Sequence, residues 1–246
     1  MLNNSVAEDE RGQLFFTTGY STDTYKVTPL LTLYQPATGQ MRKITPPTSI
    51  TFGFATAMLT DQQGHLYLTE GYQKAGDPAV EAGNGWYRYD IASDTWQTLA
   101  PLPVSLGYAT LVYDANGNIL LLGGATDAGQ THQSERIYRY DITHNQWLQQ
   151  PFTLPHPLSG SASCALDSNH ILIVGGYDAN HKQGVQETWL FNVRTQHWTQ
   201  LDPFPKGGSV LGAIACDGHD HAYLIRGASD PRHPTADFWL LTLHEG

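Results

Sequence analysis

Charge, cysteine, long apolar runs and helical periodicity are all scarce in this 246-residue chain, and each scarcity excludes something. Only 15% of residues are charged, below the roughly 25% of an ordinary soluble domain. Lys and Arg number 13 against 23 Asp and Glu, for a formal net charge of −10. A charge-poor, acidic chain is a bad match for a phosphate backbone, so no nucleic acid is expected as partner. Two cysteines, Cys164 and Cys216, are too few for a disulfide scaffold and have no companion at metal-ligand spacing. Both are expected as small, buried, free thiols. No stretch reaches the roughly 18 apolar residues of a membrane span, and the leading MLNNSVAEDE has neither a basic nor an apolar region. Neither a signal peptide nor a membrane partner is therefore expected, and the expected location is cytoplasmic. No segment of helical length keeps an i, i+3, i+4, i+7 pattern, so helix should be scarce.

What is present is punctuated apolar sequence. Hydrophobic residues make up 40% of the chain, with 8 Phe, 6 Trp and 13 Tyr, and 24 Gly and 14 Pro separate the apolar runs. Five runs close on a glycine: LFFTTG at Gly19, LYLTEG at Gly71, ILLLGG at Gly124, ILIVGG at Gly176 and AYLIRG at Gly227. Their separations of 52, 53, 52 and 51 define a repeat. After each comes a polar segment, then a second apolar and aromatic run. Tyr89 to Trp96, Tyr140 to Trp147 and Phe191 to Trp198 are then all seven apart, with Tyr34 to Met41 as a degenerate first copy. ATG, SDT, THN and RTQ between them read as tight hairpin turns. A Pro-containing crossover follows, then a small or apolar run ending in Asp61, Asp114, Asp167 or Asp217.

One unit is therefore strand, turn, strand, long loop, strand, turn, strand, crossover. The inner strands ILLLGG and ILIVGG are apolar at consecutive positions, which implies burial on both faces between neighbouring sheets. Radial closure also removes most edge-strand liability. The expected fold is all-β, a β-propeller forming a single domain over residues 1–246, with blades near 1–50, 51–104, 105–156, 157–207 and 208–246. The last unit stops before its Trp-bearing outer strand. It is expected to be three-stranded, to be completed by another chain as a homo-oligomer, or to continue in a longer parent.

The paired glycines Gly123-Gly124 and Gly175-Gly176, the aromatics Tyr140 and Phe191 and the following Trp147 and Trp198 resemble kelch repeats. Gly71, Tyr89 and Trp96 fit as well, although Glu70 replaces the first glycine, as Thr18 and Arg226 do in the end units. The resemblance spans the chain, is strongest from Phe54 to Pro205, and implies fold far more than function. Trp96, Trp147 and Trp198 are expected to be buried fillers between blades.

Function is expected on the long loops between second and third strands. The candidate ligand-binding residues there are Tyr72, Asp127, His132, Arg136, Tyr177, Asp178, His181 and Arg232. No GxSxG, HExxH, Walker loop or dinucleotide-binding glycine pattern is present, so no catalytic residue is assigned and whether the chain is an enzyme stays open. No cofactor and no metal are expected; His219-Asp220-His221 lies in the turn on the opposite side, without a third ligand nearby in sequence. The copper-radical oxidases and the iron-dependent nitrile-forming proteins that resemble this fold have no matching residue sets here. Recognition of a protein or peptide ranks first among the readings. A carbohydrate-active enzyme resembling kelch-type sialic acid epimerases, or a glycan-binding lectin, ranks second, because Asp127, His132, Arg136, Asp178 and His181 are acid-base groups on separate loops. A structural or oligomer-forming repeat domain ranks third.

Overall fold

The computed structural model describes residues 5–17, 19–21, 23–114, 117–204, 207–218, 220–228 and 237–242. The fold is an all-β propeller of five blades. Blade 1 holds β1 (Val6–Glu8), β2 (Leu14–Thr17), β3 (Leu31–Gln35) and β4 (Gln40–Ile44). Blade 2 holds β5 (Met58–Thr60), β6 (His65–Thr69), β7 (Trp86–Asp90) and β8 (Thr95–Thr98). Blade 3 comprises β9 (Thr110–Tyr113), β10 (Asn118–Leu122), β11 (Arg136–Asp141) and β12 (Gln146–Thr153). Blade 4 comprises β13 (Ala162–Ala165) and β14 (His170–Val174), then a short loop hairpin of β15 (Tyr177–Asp178) and β16 (Gln183–Gly184), then β17 (Thr188–Asn192) and β18 (His197–Leu201). Blade 5 has β19 (Ala213–Cys216), β20 (His221–Ile225) and β21 (Phe238–Thr242), and among the described residues it has no fourth strand. All strand pairs within blades are antiparallel.

Two compact units emerge from the contacts: Met1–Ala109 with Ala125–His132 and Thr143–Trp147, and Thr110–Gly124 with Gln133–Ile142 and Leu148–Gly246. The first holds blades 1 and 2 with one loop and one turn of blade 3; the second holds the rest of blade 3 and blades 4 and 5.

Local chemistry explains the short strands. The Asp that ends each innermost strand turns its carboxylate back onto the start of the next strand. Asp9, Asp61, Asp114, Asp167 and Asp217 accept the amides of Gln13, His65, Asn118, His170 and His221 at 2.8, 3.1, 2.8, 2.8 and 3.2 Å. An Asp side chain thus replaces a backbone turn partner. The outer hairpins need one left-handed residue each, supplied by Gly39, Asp94, Asn145 and Gln196 at φ 69°, 56°, 50° and 56°.

Alternation along each strand gives every blade two packing faces. In the first unit, Phe15, Leu31 and Leu33 of blade 1 bury against Leu66, Leu68 and Tyr89 of blade 2. In the second, Leu120 and Leu122 of blade 3 meet Ile171, Ile173 and Phe191 of blade 4. Leu172 and Val174 of blade 4 then meet Ala222 and Leu224 of blade 5.

That alternation corrects the expectation of free thiols: Cys164 and Cys216 form a disulfide between β13 and β19, with Cα atoms 5.8 Å apart and a sequence separation of 52. The closing glycines of these two blades are 51 apart, so the cysteines are one residue out of phase with the repeat. In a strand one residue reverses the face. Cys164 therefore points from blade 4 toward blade 5 while Cys216 points back, both half-buried and packed against the same cluster. Disulfides persist mainly in oxidising compartments, which weighs against the cytoplasmic expectation. No helix among the described residues is long and apolar enough to cross a membrane.

The outer-strand tryptophans differ from expectation too. Trp96, Trp147 and Trp198 are half-buried, not enclosed, because a last strand has a neighbour on only one side. Trp147 packs edge-on against Trp86 at 5.2 Å and donates its indole N–H to the Ala100 carbonyl at 3.2 Å; Trp198 donates to Thr153 at 2.8 Å.

The disulfide gives a direct test. Removing it with Cys216→Ser should lower unfolding stability by about 2–4 kcal/mol, and the native protein should be lighter by two hydrogens than its reduced form. Alkylation of both cysteines in native protein without reductant would contradict the cross-link.

Candidate functional site

Two loop clusters, one in each compact unit, carry the candidate residues. In the first unit the hub is Tyr72, which follows the closing glycine of blade 2. Its side chain is fully buried, and its hydroxyl lies 2.7 and 2.8 Å from the carbonyl oxygens of Ala125 and Asp127, to either of which it can donate. Burial, with Tyr108 and Asp127 adding to it, pushes the phenol far above its ordinary pKa. Tyr72 therefore holds the blade 3 loop in place. Phe54, Ala55, Ala75, Ala82 and Tyr108 pack around it, with Tyr20 and Ala128 at the margin.

The loop so held presents Asp127 and His132. Thr131 donates its amide and hydroxyl to Asp127 Oδ1 at 3.0 and 3.1 Å, and the His132 amide reaches Oδ2 at 2.8 Å. The His132 ring Nδ1 lies 3.0 Å from the same Oδ2. Desolvation pushes the Asp127 carboxyl upward, but these hydrogen bonds outweigh it and hold the group below the ordinary carboxylate range. The Asp127 side chain is 10% exposed and that of His132 80% exposed. The result is an anchored anion steering a solvent-facing imidazole.

The second unit repeats the design. Asp178 accepts the amides of Asn180 and His181 at 2.8 and 3.2 Å, and the His181 ring Nδ1 is 2.6 Å from Asp178 Oδ2. Desolvation again raises the carboxyl and the hydrogen bonds from His181 and Asn180 overcome it, so Asp178 is lowered on balance. The bond to Asp178 and its charge raise His181. Gln133, which sequence reasoning did not single out, ties this loop down. It donates to Ser159 Oγ and to the Tyr177 carbonyl at 2.6 Å each and accepts the Ala179 amide at 2.9 Å. Tyr177 itself is half-buried. Only the recurring Asp with a His three to five residues later could have signalled the dyads.

Arg136 is not drawn to either cluster; from the start of β11 it donates to Gln149 on β12 at 2.6 Å. Arg232 lies outside the described residues, as does His219. On the opposite turns, His65 and His170 also pair with Asp61 and Asp167 at 2.7 and 2.8 Å. Those rings, however, have second partners in Asp90 and Asn192, as turn-fixing groups should. Among the described residues neither His132 nor His181 has a partner on Nε2. Asp217, Asp220 and His221 place ligand atoms within 4.8 Å of one another, but the Asp217 carboxylate is already bonded to the His221 amide and ring.

The Asp178–His181 link has a defined pH window. The lowered Asp178 contributes above its unfolded pKa and loses that contribution as pH falls through its folded value; the raised His181 contributes below its unfolded pKa and loses it as pH rises through its folded value. The His181 ring should therefore titrate above the ordinary histidine value of about 6.5, and Asp178→Asn should bring it down. A ring NMR titration showing no difference between the two proteins would refute the pairing.

Comparison with known proteins places these loops on a known scaffold. The family model described as the KLHDC2/KLHL20/DRC7 Kelch-repeats domain matches residues 8–245. The N-acetylneuraminate epimerase of Yersinia enterocolitica is 29% identical over 138 residues, covering 53% of this chain and 32% of its own length. Kelch-like protein terF of Aspergillus terreus is 27% identical over 87% of this chain and 46% of its own length. The N-acetylneuraminate epimerase 1 of Escherichia coli is 25% identical over 75% of this chain and 59% of its own length. This chain thus spans from about a third to under two thirds of these relatives. The solved structure entitled "Structure of YjhT" shares the fold, with a TM-score of 0.77 at 14% identity over 98% of this chain and 81% of that one. The chain belongs to the kelch-repeat β-propeller family.

Proposed function

We propose that this chain acts on a carbohydrate by acid-base chemistry, in the class of the N-acetylneuraminate epimerases, with the Asp127–His132 dyad as its proton-transfer group. The carrying observation is the dyad's division of labour: a nearly buried carboxylate pinned by three donors besides the imidazole, and an imidazole exposed on its far nitrogen. Interconversion of two sugar stereoisomers through a planar or ring-opened intermediate needs a group that takes a proton and, after the intermediate has turned, returns one near neutral pH, an exchange that imidazole supplies. The lowered Asp127 stays ionised, fixes which ring nitrogen faces the substrate and stabilises the imidazolium formed on proton uptake. Asp178–His181 offers the same chemistry in the second unit.

Two relatives named as N-acetylneuraminate epimerases support this substrate class. Recognition of a protein or peptide carries less support. That reading needs a rim of exposed Tyr and Arg, whereas Tyr72 is enclosed and Arg136 is engaged with Gln149.

Proton NMR of N-acetylneuraminate tests the proposal, because a change at any ring centre shifts neighbouring resonances. The protein should accelerate interconversion of two stereoisomers, and His132→Gln should lower kcat/KM by about 10²- to 10⁴-fold with the fold intact by circular dichroism. Interconversion at the buffer rate, or full activity in His132→Gln, would overturn it.

A further inference from the structure

The repeat makes the two faces of each blade comparable residue by residue. In blade 4, Val174 pairs with Thr188 and Leu172 with Leu190 across β14 and β17. These positions face blade 5, where Leu172 and Val174 belong to the buried cluster with Ala222 and Leu224 and the half-buried Leu190 packs against it. One repeat later, Ile225 pairs with Phe238 and Tyr223 with Leu240 across β20 and β21. The same four positions of blade 5 are exposed: Tyr223 by 42%, Ile225 by 56%, Phe238 by 63% and Leu240 by 53%. They form a contiguous apolar face, with the Tyr223 and Phe238 rings 6.3 Å apart. The outer edge of β21 adjoins this face and, among the described residues, pairs with no strand, whereas β3, β7, β11 and β17 each carry a fourth.

Such a face with aromatic and branched aliphatic side chains is costly in water and marks a contact surface. What it takes is indicated by the neighbouring interface: at the equivalent positions blade 4 is covered by a whole sheet, through Ile214, Ala222, Leu224, Trp239 and Leu241. A single added strand would satisfy the edge of β21 but leave Tyr223 and Ile225 uncovered, because they lie on the face. On the corresponding face of its blade 1, a second copy of this chain offers the exposed charges of Glu8 and Lys43 among the exposed Val6 and Met41 and the half-buried Leu14, Phe16 and Tyr34. That is a poorer complement.

We propose that the exposed face of blade 5 is the docking surface for one further kelch-type blade, a four-stranded antiparallel sheet presenting small, aliphatic and indole side chains as blade 5 presents them to blade 4. The inference is independent of the sugar chemistry, since it concerns a face remote in sequence from both dyads.

The test is the full chain extended after Gly246 by a flexible linker and a second copy of residues 157–207, compared with the unextended chain. The extended protein should be monomeric, bind less of an apolar dye such as anilinonaphthalene sulfonate, and show at least about tenfold slower amide exchange in β20 and β21. Ile225→Glu with Leu240→Glu should abolish those gains. In the unextended chain the same pair of substitutions should reduce dye binding and leave the melting temperature within about 2 °C, as for exposed sites; this arm does not depend on the extension folding. Three results would each overturn the proposal: unchanged exchange in a folded extended chain, a clear fall in melting temperature of the unextended double variant, or an unextended chain that dimerises through this face.

Discussion

The contact on which blade packing rests is the seating of one blade's crossover carbonyl on the paired glycines of the blade before it. The Ser209 carbonyl, on the way into blade 5, accepts the Gly176 amide at 2.7 Å and lies so close to Gly175 that a Cβ there would overlap it. Leu158 does the same for Gly124 and Gly123 one blade earlier, with an amide bond of 2.8 Å. Glycine is required twice over at Gly175, which also has φ +63°. This close approach sets the spacing at which Leu172 and Val174 interlock with Ala222 and Leu224, and through the same packing it brings Cys164 to Cys216.

Where the first glycine is missing, the molecule compensates. Glu70 turns its carboxylate to accept the Gly85 amide at 2.9 Å, and the space it occupies is left by Gly83 and Gly85, where any Cβ would collide with it. Arg226 is buried, donates to the Gly208 carbonyl at 3.2 Å and pairs with Asp237 at 2.8 Å. A buried guanidinium with a carboxylate and a carbonyl partner is tolerable; without them it would not be.

These particulars show how far the sequence could be read. The strands were legible because spacing and alternation are local: the glycine period, the terminal Asp and the seven-residue step from Tyr89 to Trp96 all report on hydrogen-bonded neighbours. The disulfide was encoded as well, in a separation of 52 against a local period of 51, but reading it requires tracking which face each cysteine occupies. Half-burial of Trp147 was hidden because it depends on the edge position of β12, not on the residue. The loop site was the least legible. Asp127 and His132 could be proposed as reactive types, yet the pinning by Thr131 depends on how this one loop turns, and the burial of Tyr72 beneath the loop and the clamp by Gln133 arise from contacts between loops that differ from blade to blade. Repetition carries the scaffold, and the loops depart from it where chemistry is placed.

Stability of a glycine variant tests the central contact most directly. Gly64 sits at φ +89° with nothing within 4 Å of where a Cβ would be, so Gly64→Ala should cost only the backbone penalty, about 1–2 kcal/mol. Gly175→Ala adds a collision with the Ser209 carbonyl and should cost at least about 2 kcal/mol more in equilibrium unfolding, with faster amide exchange in β19 and β20. Equal losses for the two variants would contradict the account, because they would mean that the approach of blade to blade does not depend on that glycine.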